Sequence, residues 1–140
     1  MAMVAAGIAN QGTVMRPYLV DEVQSPDLQT LRLTDPEELS KAVSASTADQ
    51  LTDLMVYTVD EGTASPAAIN GVEVAGKTGT AQSGTDAPPY AWFVSFAPAN
   101  DPQVAVAVMI QKADGIERGE IAGGLLGGPI AKAIMEAVIE

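Results

Sequence analysis

Hydrophobic residues recur with a helical period in three parts of the chain. Residues 1–11 are apolar nearly all round, which predicts a helix that is buried on every side and has Gly12 as its C-cap. A second helical pattern runs from residue 51 to 59 and predicts an amphipathic helix with one face in a core. We expect this helix to start at a capping box at residues 46–49, with Asp in place of Glu, and to end at Gly62.

The third helical pattern lies near residue 140. Residues 115–128 are rich in glycine and predict an irregular connection, after which Pro129 suits the first turn of a helix. The apolar positions that follow predict the stripe that this helix buries, namely Ile130, Ala133, Ile134, Ala137 and Val138.

Strand patterns occupy the region between the last two helices. Residues 72–81 alternate as a strand does, and residues 90–97 are aromatic and β-branched up to the stop at Pro98. Residues 104–110 form a dense Val/Ala run, which predicts a central strand. The composition of residues 83–89 predicts a turn or loop between the first two strands.

The order of these elements predicts an α+β fold. Helices come first, a three-strand antiparallel meander follows, and a C-terminal helix packs on the sheet. Between the first two helices, Pro26 and Pro36 mark residues 13–36 as loop and edge strand, with a short extended segment over residues 16–23. Leu28, Leu31 and Leu33 alternate with polar residues in the same region.

Composition excludes several classes of function. The 140 residues have a formal net charge of −11 and a pI near 4.1, so we expect no nucleic-acid partner. The chain contains no cysteine and no histidine, which excludes disulfides, thiolate zinc sites, catalytic cysteines and Ser-His-Asp machinery. An enzyme built from this chain must move protons with lysine, carboxylates or water, and the sequence predicts neither a cofactor nor a metal site.

The first residues of the chain have the pattern expected of the middle of a helix and not of its start. Residues 1–11 have no basic stretch, are too short to cross a bilayer and offer no N-cap. One hypothesis is that Met1 is an internal point of a longer protein. The alternative is a native start on a buried N-terminal helix.

One short motif carries chemistry and permits two interpretations. Residues 71–78 match the letter pattern of a phosphate-binding P-loop. However, Val-Glu-Val-Ala at the variable positions favours extended backbone, Glu73 would place negative charge in an anion cradle, and Gly79 and Thr80 start a helix badly.

The same residues suit a ligand-binding strand. Lys77 and Gly79 would lie on one face and Thr78 and Thr80 on the other. An ammonium group and two hydroxyls beside a glycine suit a carboxylate-bearing peptide laid along the strand.

The chain resembles the serine penicillin-binding proteins and β-lactamases, whose Lys-Thr-Gly box matches Lys77, Thr78 and Gly79. A longer stretch, residues 74–82, is similar to the high-molecular-mass, class B-like transpeptidases in particular. Further similarity, in order and at plausible spacing, lies at residues 7–12, 61–64, 91–98 and 123–129. The resemblance thus runs over nearly the whole chain.

The resemblance implies a partial serine β-lactamase/transpeptidase-like fold and acyl transfer. In that family a serine attacks the penultimate D-alanyl carbonyl of a peptidoglycan stem peptide, an amino group of a neighbouring stem accepts the acyl group, and β-lactams trap the serine. Carried over, Lys77 is the box lysine, and Thr80 supplies one oxyanion N–H and a hydroxyl. In substrate binding, Thr78 and Thr80 offer hydroxyls to the terminal carboxylate, and Gly79 lets the substrate approach the backbone closely. The Lys77 cation helps to hold that carboxylate and joins the proton network around the nucleophile.

The family's nucleophile is not in these residues. No serine of the chain has lysine three places on, and no Ser-x-Asn box occurs. We therefore expect a C-terminal portion of one transpeptidase domain that is inactive alone. Residues 1–62 would form the end of the helical lobe and a connecting segment, and residues 63–140 the box strand, two further strands and the closing helix.

The missing N-terminal part of that domain would be a partner of the chain, supplying the nucleophile, two sheet strands and the membrane anchor. The resemblance places the parent protein at the extracytoplasmic face of the cell membrane. Alternatives of the same fold are a β-lactamase or a β-lactam sensor domain. A non-enzymatic alternative is a peptide- or carboxylate-binding module that uses the Lys77 strand without chemistry.

Overall fold

The computed structural model describes residues 1–82, 88–111, 115–116 and 121–139. Within these ranges the α-helices are α1 (Ala2–Ala9), α2 (Ala45–Asp60) and α3 (Gly123–Ile139), with a short 3₁₀ helix at Ser65–Ala67. The strands are β1 (Thr13–Met15), β2 (Glu22–Gln24), β3 (Thr30–Leu33), β4 (Glu38–Lys41), β5 (Ala75–Ala81), β6 (Tyr90–Ala97) and β7 (Val104–Ile110). The predicted α+β arrangement is confirmed.

The main sheet is the antiparallel meander β5–β6–β7, and two small antiparallel pairs, β1–β4 and β2–β3, lie before it in the chain. The predicted bounds of β6 and β7 are correct. The prediction that residues 104–110 are central is wrong for the described sheet, because β6 lies in the middle and β7 at an edge. Residues 83–87 of the predicted loop lie outside the described residues.

Helices cover both faces of the sheet and form two cores. On one face α3 packs over β6 and β7, where Phe93 and Met135 are fully buried together with Val106 and Ala131. On the other face α1 and α2 contribute Ala5 and Met55, which pack against Phe96. Alternate residues of β6 therefore point into different cores, as the period of a strand requires.

The C-terminal helix departs furthest from the prediction. It starts at Gly123, six residues before Pro129, so part of the predicted glycine-rich connection is helical and the proline lies inside the helix. The predicted buried stripe is wrong: Ile130, Ile134 and Val138 are 46%, 43% and 54% exposed. The buried side of α3 consists of Gly123, Gly124, Gly127, Gly128, Ala131 and Met135. The cause is close packing of the first turns, because their glycines let this part of the helix approach the sheet, while Met135 fills the core farther along.

The first two helices end and begin close to the predicted positions. Helix α1 ends at Ala9, and Gly12 lies beyond the C-cap Asn10, donating its N–H to the Gly7 carbonyl at 2.7 Å. Helix α2 begins at Ala45 with Ser44 as its N-cap, whose hydroxyl accepts from Thr47 N–H, so the predicted capping box at residues 46–49 is wrong by two residues.

Two further segments differ from the predicted pattern. Strand β5 begins at Ala75 and not at residue 72, because Gly71 has φ of 77° and Ile69 bridges to Val72 in a tight turn. The predicted extended segment at residues 16–23 is mostly loop, and β2 and β3 form a hairpin there.

Candidate active site

Strand β5 carries the predicted site residues along an open edge. Within the described residues β5 pairs with β6 alone, in the register Lys77 to Val94 and Thr80 to Ala91. The side chains of Lys77 and Thr80 are exposed. A ligand in extended conformation can therefore approach the unpaired edge of β5 while both side chains remain accessible.

The four residues divide between the two faces as the alternation predicts. Thr78 lies across from Phe93, which belongs to the core under α3, and Thr80 shares that face. Lys77 and Gly79 lie on the opposite face, that of α1 and α2. A group bound at the strand edge can reach residues of both faces.

The ammonium group of Lys77 stays close to its own strand. Its Nζ donates to the Thr78 carbonyl oxygen at 2.7 Å. Within the described ranges, ion pairs join Arg16 to Glu37 and Lys132 to Glu136. Neither of these two ion pairs includes Lys77. An exposed ammonium of this kind suits an anionic ligand.

A hydroxyl pair links β5 to the segment that follows α2. Thr63 Oγ1 lies 3.0 Å from Thr78 Oγ1, and either atom can be the donor. Sequence reasoning used residues 61–64 only as part of a resemblance and did not identify Thr63. The two residues are 15 positions apart, and no pattern in the sequence shows that their hydroxyls meet.

The first turn of α3 packs directly on the site strand. A Cβ placed on Gly123 would lie 1.9 Å from the Trp92 carbonyl oxygen and 2.9 Å from the Gly79 carbonyl oxygen. The Gly79 carbonyl belongs to the same peptide unit as the Thr80 N–H, the predicted oxyanion donor. The position of that donor therefore depends on a helix–strand contact that only glycine permits.

The P-loop interpretation is wrong. A phosphate-binding loop requires Lys77 and Thr78 to open a helix, but both lie in the middle of a seven-residue strand. The glycine-rich turn is also absent, because Gly76 is buried within the strand, where an added Cβ would meet Val59 and Phe93.

The remaining surface offers no competing chemical site among the described residues. A groove of about 810 Å³ lies between α1, β1 and the start of β7, away from Lys77, and its lining is mainly apolar around Arg16 and Asp101. No cluster of His, Cys, Asp or Glu in the described part could hold a metal ion. The described part of the chain contains no helix whose length and hydropathy suit a membrane span.

Comparisons with known proteins cover nearly the whole chain. A family model described as "Penicillin binding protein transpeptidase domain" matches residues 1–136. The peptidoglycan D,D-transpeptidase PbpA of Mycolicibacterium smegmatis is 50% identical over 99% of this chain, and the chain spans 28% of that relative. The stage V sporulation protein D of Bacillus subtilis is 33% identical over 96% of the chain, which spans 21% of it.

Solved structures agree with these relatives. The crystal structure of PBPA from Mycobacterium tuberculosis matches with a TM-score of 0.86 and 44% identity, over 99% of this chain and 33% of the other. The penicillin G acyl-enzyme complex of penicillin-binding protein A from the same organism matches with a TM-score of 0.84 and 43% identity, over 99% and 31%. The chain thus corresponds to about a third or less of each protein.

Proposed function

Since this chain belongs to the penicillin-binding protein transpeptidase domain family, we propose that it is the C-terminal portion of one such domain in a serine-type D,D-transpeptidase. Residues 1–62 then form the end of the helical lobe and a connecting segment. Residues 63–140 form the strand with Lys77, two further strands and the closing helix. The relatives named as D,D-transpeptidases support this function over a β-lactamase, a sensor or a binding module.

The proposed reaction is acyl transfer between two stem peptides. A serine outside these 140 residues attacks the penultimate D-alanyl carbonyl, the terminal D-alanine leaves with a proton, and an amino group of a neighbouring stem then takes the acyl group and releases the serine. A β-lactam acylates the same serine by opening its ring, so no fragment leaves. The acyl-enzyme complexes of the Mycobacterium tuberculosis relative support β-lactam binding.

The described residues suit three roles in this reaction. Lys77 places a positive charge beside the strand edge for the substrate carboxylate and for proton transfer near the serine. The Thr80 N–H acts as one of two oxyanion donors, and donors of this kind typically contribute about 3 kcal/mol to transition-state stabilisation. Thr78 and Thr80 offer hydroxyls to the carboxylate, while Gly79 leaves room for the ligand beside the backbone.

The observation that carries the proposal is the exposure of Lys77 and Thr80 on the unpaired edge of β5. A stem peptide ending in D-Ala-D-Ala can add to this edge as an extra strand, which places its last carboxylate near the hydroxyls. The proposal includes a location for the parent protein at the extracytoplasmic face of the cell membrane, since the relatives are named as transpeptidases of peptidoglycan, a cell-wall polymer. The N-terminal part of the same domain is then an obligatory partner of this chain.

Labelling with a fluorescent penicillin tests the proposal on the complete parent protein. We expect covalent labelling of the wild type and a loss of at least about tenfold in labelling rate for Lys77→Ala, the size of a charge-assisted hydrogen bond. Lys132→Ala is the matched control, because Lys132 is also a solvent-accessible lysine, half-buried on α3, where it forms an ion pair with Glu136. An unlabelled wild type, or equal rates for both variants, would refute the proposal.

The lifetime of the penicilloyl label distinguishes a transpeptidase from a β-lactamase of the same fold. A transpeptidase holds the penicilloyl group because water deacylates it slowly, whereas a β-lactamase releases it and accumulates hydrolysed product. We expect a stable label and cross-linking of a D-Ala-D-Ala donor to an amine acceptor. The 140-residue chain alone should remain unlabelled, since no Ser-x-x-Lys occurs in it.

A further inference from the structure

Thr63 lies beside the site strand without belonging to the Lys77–Thr80 motif. Its Oγ1 is 3.0 Å from Thr78 Oγ1, and its side chain is exposed at the same edge of the fold. We propose that Thr63 is a positioning residue that orients the Thr78 hydroxyl toward the carboxylate of the acyl donor. This inference rests on the proposed function and adds a residue outside the strand motif.

The number of donors and acceptors determines which threonine hydroxyl donates to the other when a ligand carboxylate is bound. A carboxylate only accepts, so Thr78 must use its single O–H proton to reach it. Thr78 can then only accept from Thr63, and Thr63 must be the donor. The result is a relay in which the Thr63 hydroxyl donates to the Thr78 oxygen and the Thr78 hydroxyl donates to the ligand, each bond polarising the next.

The surrounding backbone holds Thr63 in place for this task. Its neighbour Ala64 is fully buried and donates its N–H to the Thr58 carbonyl oxygen at 3.1 Å. On the other side, a Cβ added to Gly124 would lie 2.0 Å from the Thr63 carbonyl oxygen and 3.1 Å from Thr78 Cγ2. Helix α3 therefore packs on both threonines at once, which keeps their hydroxyls at hydrogen-bond distance.

The experiment compares Thr63→Val with Thr63→Ser in the complete parent protein. Valine keeps the shape and removes the donor, while serine keeps the donor. We expect Thr63→Val to lower kcat/KM for a D-Ala-D-Ala peptide by about three- to tenfold, the size of one net hydrogen bond, and Thr63→Ser to restore it. Thr52→Val is the control, because the Thr52 hydroxyl donates to the Ala48 carbonyl oxygen within α2, so this substitution should leave the rate unchanged.

Two measurements separate positioning from a general structural role. With a donor whose terminal carboxylate is replaced by a carboxamide, Thr63→Val should have no more than a small effect, because the relay no longer ends on a charge. In a Thr78→Val background, Thr63→Val should cause no additional loss, because Thr63 acts through the Thr78 hydroxyl.

The outcomes distinguish this inference from the proposed function. A wild type that penicillin does not acylate refutes the function itself. A reactive wild type with an equally reactive Thr63→Val variant refutes only the inference. Equal losses on carboxylate and carboxamide donors would mean that Thr63 is merely structural, and a loss that persists in the Thr78→Val background would mean that Thr63 contacts the ligand directly. Either result overturns the relay.

Discussion

Replacing Gly123 with alanine tests how α3 supports the site strand. The added Cβ would lie 1.9 Å from the Trp92 carbonyl oxygen, whereas a carbon–oxygen contact settles at about 3.3 Å. Helix and sheet must therefore separate locally by about 1.4 Å. The atoms in the way are backbone atoms of β5 and β6, so no side-chain rotation relieves the contact.

Overpacking of this kind costs about 1–3 kcal/mol, and two strands must move here, which favours the upper end. Alanine recovers at most about 1 kcal/mol of helix propensity relative to glycine. We therefore expect the free energy of unfolding of the parent domain to fall by about 2 kcal/mol. The displaced Gly79–Thr80 peptide unit also carries the proposed oxyanion donor, and a misplacement near 1 Å lowers rates by about 10²-fold.

The assay combines denaturant unfolding with the rate of penicillin acylation, both on the complete parent protein. Gly7→Ala is the matched control, because Gly7 also lies inside a helix and its added Cβ would meet the side chain of Val14, with the nearest methyl at 2.9 Å, and no backbone atom of another element within 4 Å. We expect this control to change both quantities little. A Gly123→Ala variant with wild-type stability and acylation rate would refute the packing argument.

Three further substitutions have defined outcomes. Ser95→Ala should raise the free energy of unfolding by about 1 kcal/mol in denaturant titrations, since the Ser95 hydroxyl is fully buried without a hydrogen-bond partner among the described residues. Gly12→Ala should lower it by about 2–4 kcal/mol, because the glycine has φ of 86° and an added Cβ would lie 2.3 Å from the Val43 carbonyl oxygen. Ser25→Ala should raise the pKa of Asp27 toward the ordinary range of an aspartate in an NMR titration, because the Ser25 hydroxyl bonds that carboxylate at 2.5 Å and lowers its pKa. Removing that bond removes a contribution to stability that is present above the unfolded-state pKa and lost as the pH falls through the folded value.

Local sequence patterns correctly predicted the elements whose bounds do not depend on contacts with other elements. Strands β6 and β7 have the predicted bounds because β-branched and aromatic residues occupy them. In addition, a turn separates the end of β6 from the start of β7. The alternation that assigned Lys77 and Thr78 to opposite faces is likewise a property of the strand alone. The roles of Lys77 and Thr80 in catalysis stay predictions that the labelling experiment tests.

The features that the sequence did not predict depend on tertiary packing. Glycines normally weaken a helix, so residues 123–128 were expected to be a connection, but here small residues allow α3 to lie close against Phe93 and Trp92. Helix α3 is apolar on both sides, and its period alone could not tell which side is buried. The contact between Thr63 and Thr78 depends on the meeting of separate segments, for which the spacing of residues gives no signal.

The division of β6 between two cores has an evolutionary consequence. Phe93 touches the layer under α3, while Phe96 touches the layer of α1 and α2. A volume change at Phe93 should thus select for compensation at Met135, and one at Phe96 for compensation at Met55. Related proteins can in this way diverge in one helix layer while the other keeps its ancestral packing.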